Sequence, residues 1–146
     1  MVAGEGYVIG FDFGLKHLGI AVGQTVTGTA SGLSTLKARN GKPNWSEVDE
    51  LLVQYRPIAL VVGLPLNMDG SDSHISQRAS TFAQRIARHT HLPTYLADER
   101  LSSWAAKDDD VLTGDIHARS ACLIAETFLN DFSVCLPVKT KLHHPT

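Results

Sequence analysis

From Tyr7 to Phe13 the chain alternates: Tyr7, Ile9, Phe11 and Phe13 fall on one side, Val8, Gly10 and Asp12 on the other. A period of two predicts a β-strand. The polar turn Gly14–His17 leads to Leu18–Gly23, which reads as its hairpin partner, and Gly28–Leu36 reads as a third strand. Ala38–Pro43, with its Gly, Asn and Pro, reads as a loop. Asn44 and Glu47 have N-cap and N3 chemistry, and Trp45, Val48, Leu52 and Tyr55 form a helical stripe that stops before Pro57. Ile58–Val62 is apolar at every position, as in a parallel strand covered on both faces. A loop rich in Gly, Pro, Asn and Asp spans Gly63–Asp72. Ile75, Ala79, Phe82, Ala83 and Ile86 then define an amphipathic helix, with Arg78, Arg85 and Arg88 near its polar flank. Pro93–Glu99 reads as a fifth strand, Ser102 as the cap of a short helix through Lys107, and Ile116–Phe132 as a buried final helix. This order predicts an α/β fold in which a β-meander feeds right-handed crossovers, giving a mixed five-stranded sheet with helices on both faces.

The length of 146 residues points to one domain. Its expected extent is 1–138, with 139–146 as a flexible tail that shows no periodicity. With 43% hydrophobic and 19% charged residues the composition is that of a globule, and no apolar run approaches the roughly 18 residues of a membrane span. The N-terminus lacks the basic flank and apolar core of a signal peptide, so a cytoplasmic protein is expected. Cys122 and Cys135 are too few and too far apart for a zinc site or a disulfide framework, and read as reduced thiols. The net charge is −2, so any binding of nucleic acid must come from a local basic patch.

Asp12 is the first candidate for chemistry, because a carboxylate in an apolar strand is costly without partners. It reads either as a metal ligand at a strand end or as a hydrogen-bond partner of the Gly14 turn. Asp98, Glu99 and Arg100 close the fifth strand. Neighbouring strand residues point to opposite faces, so only one of the two acids can meet Asp12. The bland reading of these acids is a solvated strand end with a local ion pair. In open α/β sheets, however, ligands gather at the carboxyl ends of strands, where Asp12, Gly63–Asp69 and Glu99 all fall. Asp12-Phe13-Gly14 spells a protein-kinase motif, but the glycine-rich loop and catalytic-loop segments of that fold are absent. Asp108–Asp110 reads as a solvated acidic face, and His143 and His144 as tail residues.

Three strings together carry a family signature: Gly10-Phe-Asp-Phe-Gly-Leu-Lys-His-Leu-Gly-Ile-Ala-Val-Gly23, Val61-Val-Gly-Leu-Pro-Leu-Asn-Met-Asp-Gly70 and Asp98-Glu-Arg-Leu-Ser102. In order and over roughly residues 7 to 132 the chain resembles the YqgF family, to which Holliday junction resolution and maturation of the 5′ end of pre-16S rRNA have both been ascribed. The resemblance implies an RNase H-like fold, similar to that of the RuvC resolvase, and a nuclease using Mg²⁺ or Mn²⁺. It carries the catalytic, metal-binding acids over to Asp12 and Glu99. The third acid of the family falls at His117, before the Ser120-Ala121 pair, where this chain has an imidazole instead. Lys16 and Arg100 flank the acids as phosphate clamps, and Asn67 and Arg78 are expected to position the sugar-phosphate chain. The partner is then pre-rRNA or branched DNA, between which the sequence does not choose. Two other classes stand beside this one: a catalytically weakened RNA-binding factor in ribosome assembly, and, ranked last, a phosphotransferase that would need a second domain to complete its cleft. Oligomeric state is left open.

Overall fold

The computed structural model describes residues 5–65, 69, 73–98 and 116–138. Its elements are β1 (Tyr7–Asp12), β2 (His17–Gln24), β3 (Thr29–Arg39), β4 (Lys42–Pro43), α1 (Trp45–Tyr55), β5 (Ala59–Leu64), α2 (His74–Thr90), β6 (Thr94–Asp98), α3 (Ile116–Asn130), a 3-10 turn (Phe132–Val134) and β7 (Cys135–Pro137). The sheet runs β4-β3-β2-β1-β5-β6-β7. β1 pairs with β2 antiparallel and with β5 parallel, and β6 is parallel to β5 and antiparallel to β7. The α/β, RNase H-like expectation therefore stands, with seven strands in place of five.

Both additional strands have local causes. Asn40 and Gly41 have φ of 52° and 81°, the two positive values that a tight I′ hairpin requires, so β3 continues to Arg39 and turns back as β4. The segment Ala38–Pro43 is thus a hairpin tip, not an open loop. At the other edge α3 ends at Asn130, short of the expected Phe132, and the chain turns to lay Cys135–Pro137 against Ala97–Tyr95.

Helix starts follow side-chain chemistry. The Asn44 side chain accepts from Ser46 N at 3.0 Å to open α1. The reciprocal capping box belongs to α2, where Ser73 Oγ accepts from Ser76 N at 2.9 Å and Ser76 Oγ accepts from Ser73 N at 2.7 Å. The expected short helix from Ser102 and the tail 139–146 lie outside the described residues.

Two cores flank the sheet. Ile9, Phe11, Phe13, Leu60 and Val62 pack with Val48 of α1 and Phe82 and Ile86 of α2. Val8, Ala59, Val61 and Ala97 pack with Ile124 and Phe128 of α3. On this second side α3 lies almost on the backbone: a Cβ at Gly10 would stand 2.8 Å from the Ala121 carbonyl oxygen, and one at Gly19 would overlap the carbonyl oxygen of His117. Side chains of α3 also clip the outer edge of β3, where Ala30 N donates to Glu126 Oε2 at 3.3 Å and Cys122 Sγ donates to Ala30 O at 3.2 Å. Two α3 side chains thereby take the place of a strand at Ala30.

Candidate functional site

Asp12 is the last residue of β1 and is half-buried. The alternation that exposes Val8 and Gly10 to α3 puts Asp12 on the same side. Its partner across β2 is Gly19, the residue beneath the His117 carbonyl, so the first turn of α3 is seated over the Asp12–Gly19 pair. Two positions back along β2 and on the same face is His17, opposite Lys37 of β3. Its ring stacks on that of His117, with centroids 4.7 Å apart and planes 18° from parallel. One sheet-helix corner thus collects Asp12, His17, Lys37 and His117.

His117 is half-buried and does belong to this corner, at the first turn of α3 as its spacing to Ala121 predicts. Asp115, two residues before it, lies outside the described residues. His17 closes a polar turn in the sequence, which hides its place on the strand. The signal that finds it is the period of two from Gly19, since His17 shares that glycine's face once β2 is taken one residue further.

The fifth-strand acids divide by register. Ala97 pairs with Gly63 and Asp98 with Leu64. Tyr95 and Ala97 belong to the core beneath α3, whereas Leu96 and Leu64 pack in the opposite core, so Asp98 points away from the face of Asp12. Glu99, Asn67 and Arg100 lie outside the described residues. Among the described residues no group of three His, Cys, Asp or Glu side chains forms a metal-holding set.

Lys16 is exposed in the β1–β2 turn, whose backbone is tied to the β3–β4 hairpin by Ala38 N donating to Lys16 O at 2.8 Å and Gly41 N to Leu15 O at 2.9 Å. Arg78 stands on α2, the helix that follows the Gly63–Asp72 loop. It projects from α2 on the side opposite Asp12, and its Nη2 donates to Asn40 O at 2.7 Å and Asn40 Oδ1 at 3.3 Å. The helical stripe fixes which side of α2 faces the sheet, but not which face of the sheet α2 covers.

The two cysteines are free. Burial, with Asp131 nearby, pushes the Cys135 thiol up to about 11, and burial followed by the Glu126 charge raises that of Cys122. Both are neutral thiols at pH 7. No helix among the described residues is long and apolar enough to cross a membrane.

A meander leading into parallel β1, β5 and β6, an acid closing the first strand and a late helix returning over that strand together define the RNase H-like class. Its arrangement is shared with the Thermus thermophilus RuvC structure at a TM-score of 0.56, covering 90% of this chain and 99% of that one at 19% identity. T. thermophilus RuvC in complex with Holliday junction substrate matches with the same score and coverage at 18% identity. Within this class the chain belongs to the RuvX (YqgF) family, whose model, described as "Holliday junction resolvase", matches residues 6–131. Relatives named "Putative pre-16S rRNA nuclease" include one from Glaesserella parasuis, 44% identical over 134 residues, 86% of this chain and 97% of the relative. Another, from Azotobacter vinelandii, is 43% identical over 136 residues, 88% of this chain and 96% of the relative.

Proposed function

We propose that the protein is a divalent-metal-dependent nuclease that hydrolyses phosphodiester bonds at the 5′ end of pre-16S rRNA in the cytoplasm. The observation that carries this reading is the seating of the α3 first turn over the Asp12–Gly19 pair, which puts the strand-end carboxylate at the same sheet-helix corner as the His17–His117 stack. The names of the full-length relatives support the substrate.

The donor set fits a hard or borderline cation. Asp12 offers carboxylate oxygens and His117 an imidazole at the same corner, and the turn of Asp98 away from that face supports Glu99 as the second carboxylate. Asp12, Glu99 and His117 would hold the ion or ion pair. When bound, such ions lower the pKa of a water and neutralise charge developing on the leaving oxygen. The imidazole makes Mn²⁺ a better match than Mg²⁺, which prefers oxygen. The chain's own share of the work is to hold Asp12 and His117 still against the Gly19 backbone, and to bind phosphate through Lys16, Arg78, Asn67 and Arg100.

The test is cleavage of RNA carrying the 5′ precursor segment of 16S rRNA, with four-way DNA junctions in parallel, in Mn²⁺ or Mg²⁺. Site-specific cutting of the RNA, faster with Mn²⁺ and reduced at least about 100-fold by Asp12→Asn, is expected. Cutting of the junction alone would transfer the reading to a resolvase, which the family description favours. Saturable RNA binding with no cleavage in either metal would instead establish a binding factor, the reading that the imidazole at 117 favours.

A further inference from the structure

Across the sheet from Asp12, the β3–β4 hairpin and α2 enclose a small cleft of about 80 Å³. Its floor is aromatic: Phe13 lies against Phe82 with centroids 5.4 Å apart, and Trp45 stacks on Phe82 at 6.0 Å and 20°. Its walls carry Lys42 from the hairpin and Arg78 and Arg85 from α2. The two arginines are seven residues apart, hence on one face of the helix. Arg78 is held in place through a single Nη2 by Asn40, which leaves further donors of its guanidinium for a ligand. Gly41 is required here, because its φ is +81° and a Cβ would stand 2.8 Å from Phe13 Cζ and 3.2 Å from Arg78 Nη2.

The charge around this cleft runs against that of the molecule. No acid occurs between residues 13 and 46 or between 73 and 97, stretches that hold Lys16, Lys37, Arg39, Lys42, Arg78, Arg85 and Arg88 in a chain of net charge −2. Among the described residues none of Lys42, Arg78 and Arg85 is paired with a carboxylate, and Asp49 of α1 is taken by His89 at 2.7 Å. Three cations around an aromatic floor in a small cleft suit a phosphate group.

The cleft is also adjacent to the candidate catalytic end of β1. Asp12 and Phe13 are consecutive, Asp12 facing α3 and Phe13 lining the cleft, so a strand crossing the end of β1 passes from one to the other. We propose that this cleft is a phosphate subsite for the substrate strand, in which Lys42, Arg78 and Arg85 grip a backbone phosphate on the far side of β1 from the cut and thereby set which phosphodiester reaches Asp12. The proposal rests on the nuclease reading and adds to it a specificity site.

Its test separates the two. In an Asp12→Asn, Trp104→Phe protein, Trp45 is the sole indole, and its emission reports on the cleft without cleavage. Titration with the precursor RNA and with a DNA junction is expected to change that emission saturably for the RNA. Replacing both Lys42 and Arg85 by alanine should weaken binding about tenfold and reduce the slope of log affinity against log salt by about 0.7 for each phosphate released. With Asp12 restored, the double variant should cut over a broader set of neighbouring bonds. If the parent binds RNA but the double variant binds with the same affinity, slope and cut position, the cleft is not a subsite and the nuclease reading survives. A Trp45 response to the junction alone keeps the subsite and changes the substrate, and no binding of either nucleic acid overturns both.

Discussion

The two sides of the sheet are built from different materials. Beneath the N-terminal half of α3 the helix lies directly on the strands: glycines at 10 and 19 meet the Ala121 and His117 carbonyls, and Ala118, Ala121 and Ala125 are buried there, with Ile124 and Phe128 further along. Beneath α1 and α2 the contacts are ring to ring, with Phe82 packed edge-on to Phe11 at 5.8 Å and against Phe13 and Trp45. Small residues bring a helix into one fixed position over Asp12, since nothing between the backbones can rearrange. Bulky rings fill the other side well but hold the β3–β4 hairpin away from α2, and the cationic cleft is the space that results. One side fixes a carboxylate; the other leaves room for a ligand.

This contrast makes the aromatic side sensitive to deletion and the α3 side sensitive to addition. The largest loss is expected for Phe82→Ala, which removes a ring that touches three others and should cost about 3–5 kcal/mol in denaturant unfolding. A cost below about 1 kcal/mol would mean that the hairpin side collapses into the gap. Next is Gly19→Ala, where one methyl meets the His117 carbonyl. About 3 kcal/mol of destabilisation is expected, together with loss of the His17–His117 stacking as read by the imidazole proton shifts in NMR spectra. A variant with unchanged stability would show that α3 can slide and that Asp12 is not rigidly framed.

The smallest effect is a titration. Cys135 lies in the core beneath α3, its thiol pushed up to about 11 from an ordinary value near 9. The unfolded chain therefore loses this proton first as pH rises, so the folded state has its full advantage below pH 9 and gives it up between pH 9 and 11. The loss should reach roughly 2–3 kcal/mol by the top of that window. Cys135→Ala should be less stable at pH 8 but decline less steeply toward pH 11. Parallel pH profiles for the two proteins would show that water reaches this edge of the core.

Long periodic segments made most of the architecture legible. β1, β5 and α2 each bury a full face, so the hydrophobic pattern itself marks them. β4 and β7 are two and three residues long and cannot express a period, although the Asn40-Gly41 dipeptide is a hairpin signal in its own right. The α2 cap is hidden for a similar reason, because Ser76 at N3 stands where a Glu or Gln is the usual marker. Asp12 is conspicuous as a charge in an apolar strand. The stacking of His17 on His117 joins residues a hundred positions apart, and no local pattern contains it. The same holds for Arg78, whose helix face is plain in the sequence while its side of the sheet depends on how the crossovers run.

The clip at Ala30 gives α3 a role in time as well as in space. Its hydrogen bonds span 96 and 92 residues, whereas the Asn40–Arg78 contact on the other side spans 38. A ribosome adding 5–20 residues per second leaves an interval on the order of ten seconds between the emergence of β3 and that of its cover. During that interval the outer edge of β3 is an open template for wrong pairing, and the corner at Asp12 lacks its roof. The nascent chain can assemble its aromatic half early, but it has no framed carboxylate until α3 has been made. A prematurely terminated chain is therefore left with a sticky edge and an uncovered strand-end carboxylate.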